Sequence, residues 1–359
     1  MGGRGGKRWQ PVGLLVGLAG TAAAVAPWRG GRGTAGTLAA VVAAGGLWVA
    51  WAGYAVDRRD TPAGDVDVAG VADRLADQVG RQWAAEARRQ DLNRPPLEVS
   101  WQPADPSLSP PWSDLRRLAA SGAGWRQPAQ SAAGPHELAG TGGELVGVLD
   151  RVPTGRLVVL GEPGSGKTML LIRLVLDLLT RRTPGSPVPL LVPLASFRPD
   201  RHDLHRWLET QIIREHPWLA TTAAAGISRA RALLDAGLIL PVLDGLDEIR
   251  SGGRDQAIAA INTTLRDGQQ LVLSCRVTAF RHAIRPGPGR LRHIEGAAAI
   301  RLCRLNPAQV AAYLTETGGS AGTARWIPVL TALATAPTAP VVLALATPLM
   351  ASLARTIYN

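Results

Sequence analysis

"LVVLGEPGSGKTMLL", residues 157–171, decides how the rest of the chain is read. The run RLVVL at 156–160 is a short, largely apolar run of the β type. GEPGSGKT follows and fits G-x-x-x-x-G-K-[ST] from Gly161 to Thr168. MLLIRLVLDLL then continues with no helix breaker. Strand, glycine loop, helix is the context in which this pattern cradles phosphate. Without that context it would be a glycine-rich turn. Gly161, Gly164 and Gly166 let backbone N–H groups turn inward, and the helix amino terminus adds its dipole. Glu162, Pro163, Ser165 and Met169 complete the stretch expected to line the phosphates.

The lysine in this loop is unusual for the chain. Of 39 basic residues only Lys7 and Lys167 are lysine. Arginine is the default cation here, so a lysine at 167 indicates a place where a compact ammonium fits and a planar guanidinium does not. Lys167 is expected to reach the β- and γ-phosphates, and Thr168 to offer its hydroxyl to Mg2+.

A site of this kind needs an acid at the end of a neighbouring strand. GLILPVLDGLDEIR, 237–250, supplies it: an apolar run closes on Asp244, the expected Mg2+ residue. Asp247 and Glu248 follow, and either can polarise the attacking water. A third strand is expected at QLVLSCR, 270–276, bringing Ser274 and Arg276 to the same edge. Arg276 is a candidate for contact with the γ-phosphate; the alternative is a surface arginine after a strand. Cys275 reads as a small buried residue. Further elements are expected as a strand at 187–194 and helices at 167–182, 202–215 and 228–236.

Composition bounds the remainder. The chain has 359 residues, 46% of them hydrophobic, enough for two or three domains with a sizeable core. Two cysteines, Cys275 and Cys303, cannot build a disulfide framework and fit a reducing compartment. The net charge of +11 raises nucleic acid as a partner. The arginines are scattered and not interleaved with aromatics, so an anionic membrane or a general surface effect is favoured and nucleic acid is not expected. Residues 12–27 and 34–56 hold two uncharged apolar runs, the second long enough to span a bilayer. Trp28, Trp48, Trp51 and Tyr54 lie near their ends. Residues 1–60 are therefore expected to form two transmembrane helices with both ends cytoplasmic, a multi-pass cell-membrane protein. A cleaved signal peptide is the rival, opposed by Pro27 and by the second apolar run. A pair of buried alanine-rich helices is the other.

Residues 66–93 show helical spacing, with Val71, Leu75, Val79 and Trp83 near one face, as expected for an amphipathic juxtamembrane helix, with an ordinary packing helix as the favoured reading of that face. Residues 94–135 are rich in Pro, Ser and Gly and read as an irregular linker. The folded domain is expected to begin near His136.

RLVVLGEPGSGKT, LPVLDGLDEI and LVLSCR, in that order, resemble the NACHT group of signal-transduction NTPases, the STAND class. LNPAQVAAYL (305–314) and ATPLMASLARTIYN (346–359) look like the helical domain that follows the NTPase sheet there. The segment before the sheet resembles that of actinobacterial, membrane-anchored members. The resemblance implies an α/β P-loop NTPase fold at 136–304, with a mainly parallel sheet and flanking helices. It implies a small, truncated helical domain at 305–359. It implies ATP or ADP with Mg2+ as ligands, and Pro348 lying against the base. ATP over GTP rests on the resemblance, since the glycine loop does not specify a base. The function implied is a membrane-tethered NTPase that binds and slowly hydrolyses ATP as a conformational or assembly switch, with self-assembly and an unidentified protein effector as partners. The alternatives are a membrane-anchored scaffold with a structural nucleotide and a continuously cycling ATPase.

Overall fold

The computed structural model describes residues 67–89, 97–121, 131–222, 226–315, 319–336 and 338–358. The expected membrane spans lie outside the described residues. Among the described residues no helix is long and apolar enough to cross a membrane.

The described residues open with α1 (Val68–Arg89), then β1 (Ser100–Pro103), α2 (Trp112–Ala120), β2 (Gly140–Thr141) and α3 (Leu145–Arg151). The alternating α/β part follows: β3 (Arg156–Leu160), α4 (Lys167–Arg181), β4 (Val188–Pro193), α5 (Leu204–Glu215), α6 (Arg229–Asp235) and β5 (Ile239–Asp244). It continues through α7 (Arg254–Thr264), β6 (Leu271–Cys275), α8 (Val277–Ala283) and β7 (Ala297–Leu302). Four helices end it: α9 (Pro307–Thr315), α10 (Gly319–Thr335), α11 (Pro340–Leu345) and α12 (Pro348–Tyr358).

Among the described residues seven strands form one sheet in the order β2-β1-β7-β3-β6-β5-β4. β7, β3, β6, β5 and β4 run parallel, while β1 is antiparallel to both β7 and β2. Parallel strands need crossovers that place helices on the sheet faces, so the central strands are mostly apolar. Every residue of β3 and β6 is buried. Strands β3, β5 and β6 therefore share a carboxyl-terminal edge, where Gly161, Asp244 and Arg276 emerge.

The stretch expected to be an irregular linker is corrected by the structure. Residues 100–103 are a strand of the main sheet, with Trp101 paired opposite Leu302 and donating its indole N–H to the Leu138 carbonyl at 2.9 Å. Leu108 and Leu115 are buried in the same core. The folded domain thus begins well before His136. Proline and serine here make turns around short elements: Asp105 caps a single 3-10 turn by accepting from the Ser107 N–H. Helix α1 packs on α4, α6 and β4. Its Asp73 takes an ion pair from Arg182 at 2.7 Å and the Gly185 N–H at 2.9 Å, and the Gly185 contact, then the Arg182 one, holds the carboxyl below its usual range. A second, smaller hydrophobic cluster joins Leu305, Val310, Leu314, Trp326, Leu345 and Ala351 among the last four helices.

Candidate functional site

The loop from Gly161 to Lys167 leaves β3 and turns into α4. Two of its glycines are required by shape. Gly166 has φ 87° and Gly164 φ 71°, a region costly for residues with a Cβ. A Cβ at Gly164 would also meet the Leu349 Cβ at 3.1 Å. At Gly161 a Cβ would stand 2.5 Å from the Ser165 hydroxyl. Ser165 is buried and its hydroxyl has no hydrogen-bond partner in the protein. Pro163 is exposed, while Glu162 and Met169 are half-buried on either flank.

Lys167 rests its ammonium on the loop's own carbonyls, donating to Gly161 at 2.8 Å and Glu162 at 3.1 Å. Burial lowers its pKa, and the carboxylates of Asp247 and Asp244 oppose that shift. An ammonium so placed keeps a third donor for an incoming anion.

Thr168 donates its hydroxyl to Asp244 Oδ2 at 2.8 Å. The other oxygen, Oδ1, accepts from the Ser274 hydroxyl. Ser274 in turn accepts the Gly245 N–H at 2.9 Å. Ser274 is fully buried in β6, the neighbour of β5, so the sheet itself orients the Asp244 carboxylate. Thr168 and Asp244 together present adjacent hard oxygens at the mouth of the loop. That set suits a small cation that takes one or two protein oxygens and completes its shell from water and phosphate.

Asp247 and Glu248, equivalent by sequence, differ in surroundings. Asp247 is engaged by Arg276: Nε lies 2.7 Å from Oδ2, and the Arg276 backbone N–H donates to Oδ1 at 3.0 Å. Its carbonyl accepts from Arg254 at 2.7 Å. Glu248 is exposed. Partial desolvation, then the charges of Asp244 and Asp247, raise its carboxyl above the ordinary range. Gly245, at φ 78°, makes this turn; a Cβ there would overlap the Glu248 side chain at 2.8 Å. Cys275 is buried, and desolvation pushes its thiol pKa far up, away from nucleophile chemistry.

The last helix closes the loop from the other side. The Leu349 N–H donates to the Gly164 carbonyl at 3.2 Å, and Pro348 stands 3.7 Å from where a Gly166 Cβ would lie. Val99 approaches the same point at 3.5 Å. A cavity of about 230 Å³ adjoins this closure, with Glu162, Ser165, Gln102, Arg301, Arg304 and Pro348 in its wall.

All the sequence-predicted site residues converge on this edge. Gln102, Arg301, Arg304 and Leu349 are the additions. They come from β1, the end of β7 and the start of α12, and only strand pairing and helix docking bring them in. No local pattern signals them.

The family model for the NACHT domain matches residues 155–320. Among solved structures, the chain is similar to Cdc6p from Pyrobaculum aerophilum, at 19% identity over 45% of this chain and 42% of that chain, with a TM-score of 0.30. That likeness is too loose to carry anything further. No curated protein matches the chain. The glycine loop, the Asp244 strand end and the Arg276 edge all fall inside the matched stretch, and residues 155–320 are a NACHT domain, a P-loop NTPase module.

Proposed function

We propose that the protein is a membrane-tethered signalling NTPase that binds ATP with Mg2+ and hydrolyses it slowly, its nucleotide state setting a conformational or assembly switch. The observation that carries this reading is the direct docking of α12 on the glycine loop through Leu349 and Gly164. A phosphate seated in the loop takes N–H groups of the same turn whose Gly164 carbonyl α12 holds, so a shift of that turn on nucleotide binding would be felt by the helix.

Each residue has its own share of the work. Lys167 and the loop N–H groups hold the phosphates by charge and by the α4 dipole. Thr168 and Asp244 would hold Mg2+, whose charge offsets that of the phosphates. Ser274 keeps Asp244 aimed at that point. Glu248, not Asp247, accepts the proton of the attacking water. Its raised proton affinity suits a base, and Asp247 is already committed to Arg276. Arg276 must leave Asp247 to reach a γ-phosphate, which makes hydrolysis slow in the arrangement seen. The cavity beside Pro348 takes the base. The tether is residues 12–27 and 34–56, and the NTPase faces the cytoplasm.

The test is the nucleotide carried by the detergent-solubilised, purified protein, released by denaturation and separated. Stoichiometric ADP from wild type and none from Lys167→Ala is the expected result. A wild type that releases nothing and fails to bind added Mg-ATP overturns the reading.

A further inference from the structure

One exposed feature has no part in the nucleotide site. It is the hairpin between α8 and β7, "IRPGPGRLRHI", residues 284–294. The hairpin is built, not loose. Arg290 donates its N–H to the Gly287 carbonyl at 3.1 Å and Arg292 to that of Ile284 at 2.7 Å. Ile284 and Ile294 are fully buried at its base. His293 Nε2 donates to the Ser107 carbonyl at 3.0 Å, and Asn262 Nδ2 donates to the His293 carbonyl at 2.8 Å.

This base presents a basic, apolar tip to solvent. Arg281, Arg285, Arg290 and Arg292 are exposed, and Leu291 is 54% exposed between two of them. No Asp or Glu occurs from Val277 to Ile294. Asp105 is the carboxylate whose field includes Arg281 and Arg285, and Glu295 follows the hairpin. None of the four guanidinium groups makes an ion pair or a side-chain hydrogen bond among the described residues. A single leucine held among arginines on a hydrogen-bonded turn suits an interface with anionic headgroups outside and acyl chains beneath.

Position supports the same partner. The hairpin precedes β7, so it sits at the amino-terminal edge of the parallel strands, opposite the glycine loop. The first turns of α1 lie at that same edge, where Asp73 binds the Arg182–Ser186 turn that precedes β4. β7 and β4 are four strand spacings apart, about 20 Å. The proposed second span ends at Val56, eleven residues before Asp67. A chain of that length reaches at most about 40 Å.

We propose that the 284–294 hairpin docks on the anionic phospholipid surface of the membrane that tethers the chain, so that the nucleotide edge faces away from the bilayer. This rests on the tether proposed above.

The full chain is reconstituted in nanodiscs of phosphatidylcholine alone and of phosphatidylcholine with phosphatidylglycerol. Amide hydrogen exchange is then followed across residues 284–294. Docking slows exchange there by roughly tenfold in the anionic discs only, and added salt reverses it. The variant Arg285→Glu/Arg290→Glu/Arg292→Glu loses the protection while keeping its melting temperature and its nucleotide. Leu291→Ser weakens the protection in part. Equal exchange in both discs, with the chain still co-eluting with them, overturns the hairpin proposal and leaves the tether standing. A chain that stays with neither disc overturns both. Protection by a short RNA duplex, with none from anionic lipid, assigns the surface to nucleic acid and overturns the proposal.

Discussion

Two cations bracket strand β3 and its loop, one buried and one half-buried, and the two are used in opposite ways. Arg156 begins the strand, 2% exposed, and its guanidinium donates to three backbone carbonyls: Gln269 at 3.0 Å, Glu295 at 2.8 Å and Arg266 at 2.7 Å. Desolvation lowers its pKa to about 10, with Glu295 and Asp267 opposing. Lys167 follows the strand. It too is desolvated, but it touches only two carbonyls of its own loop. The fork of Arg156 ties the loops before β6 and β7 into one rigid edge. The ammonium of Lys167 sits beside a buried orphan hydroxyl, Ser165, and an acidic cluster held by neighbouring strands. A buried charge whose donors are satisfied by backbone marks structure; one with donor capacity to spare, among unsatisfied groups, marks a site.

Substitutions at the two ends test that contrast. The largest effect is expected at the site end. Glu248→Gln should cut steady-state turnover of Mg-ATP by about 10²–10⁴-fold while nucleotide binding persists. In wild type, Glu248 must be deprotonated to accept the proton. Turnover should therefore fall as pH drops through a midpoint above the ordinary 4.5. Asp247→Asn removes one of the charges that raises this midpoint and should move the acid limb downward in a pH–rate profile. Glu248→Gln turnover equal to wild type would transfer the base role to Asp247.

At the structural end, Arg156→Met should leave three carbonyls without donors and cost about 3 kcal/mol. That appears as a fall of several degrees in melting temperature, with the affinity for nucleotide per folded molecule unchanged. Lys167→Ala should do the reverse in the same two assays, losing nucleotide with little change in melting temperature of the nucleotide-free protein. If both variants lose both properties, the two ends are not separable and the contrast fails. Ser274→Ala is intermediate. It leaves the buried Gly245 N–H unpaired and frees Asp244 to rotate, costing about 1–2 kcal/mol in denaturant unfolding and raising the Mg2+ concentration needed for turnover. Pro348→Ala is expected to be the smallest, a few-fold loss of nucleotide affinity by calorimetry with turnover at saturation unchanged.

Much of the site is legible in the sequence. Gly161 to Thr168 is a local pattern, because one strand, one turn and one helix in succession build it. Asp244 is readable because the apolar run preceding it is continuous and parallel strands align their ends. The division of roles between Asp247 and Glu248 is not readable. Both stand in one turn, and only the crossing of β6 beside β5 brings Arg276 to Asp247. The strand Ser100–Pro103 is hidden for a related reason. Four residues ending on a proline carry no periodicity, and their strand character comes from pairing with β7, about two hundred positions away. β7 itself reads AAAIRL, and its alanines are buried because the strand lies between β1 and β3, not because the residue demands it.

By itself the sequence determined a phosphate loop, its lysine, the threonine and aspartate that meet at its mouth, and an α/β order of elements. These depend on contacts within a few residues, or on apolar runs that any parallel sheet would bury. The tertiary structure alone decided which acid is free, which arginine is structural, that α12 clasps the loop, and that a basic hairpin shares an edge with the start of α1. Each of those is a meeting of segments far apart in the chain, and no window of sequence contains both partners.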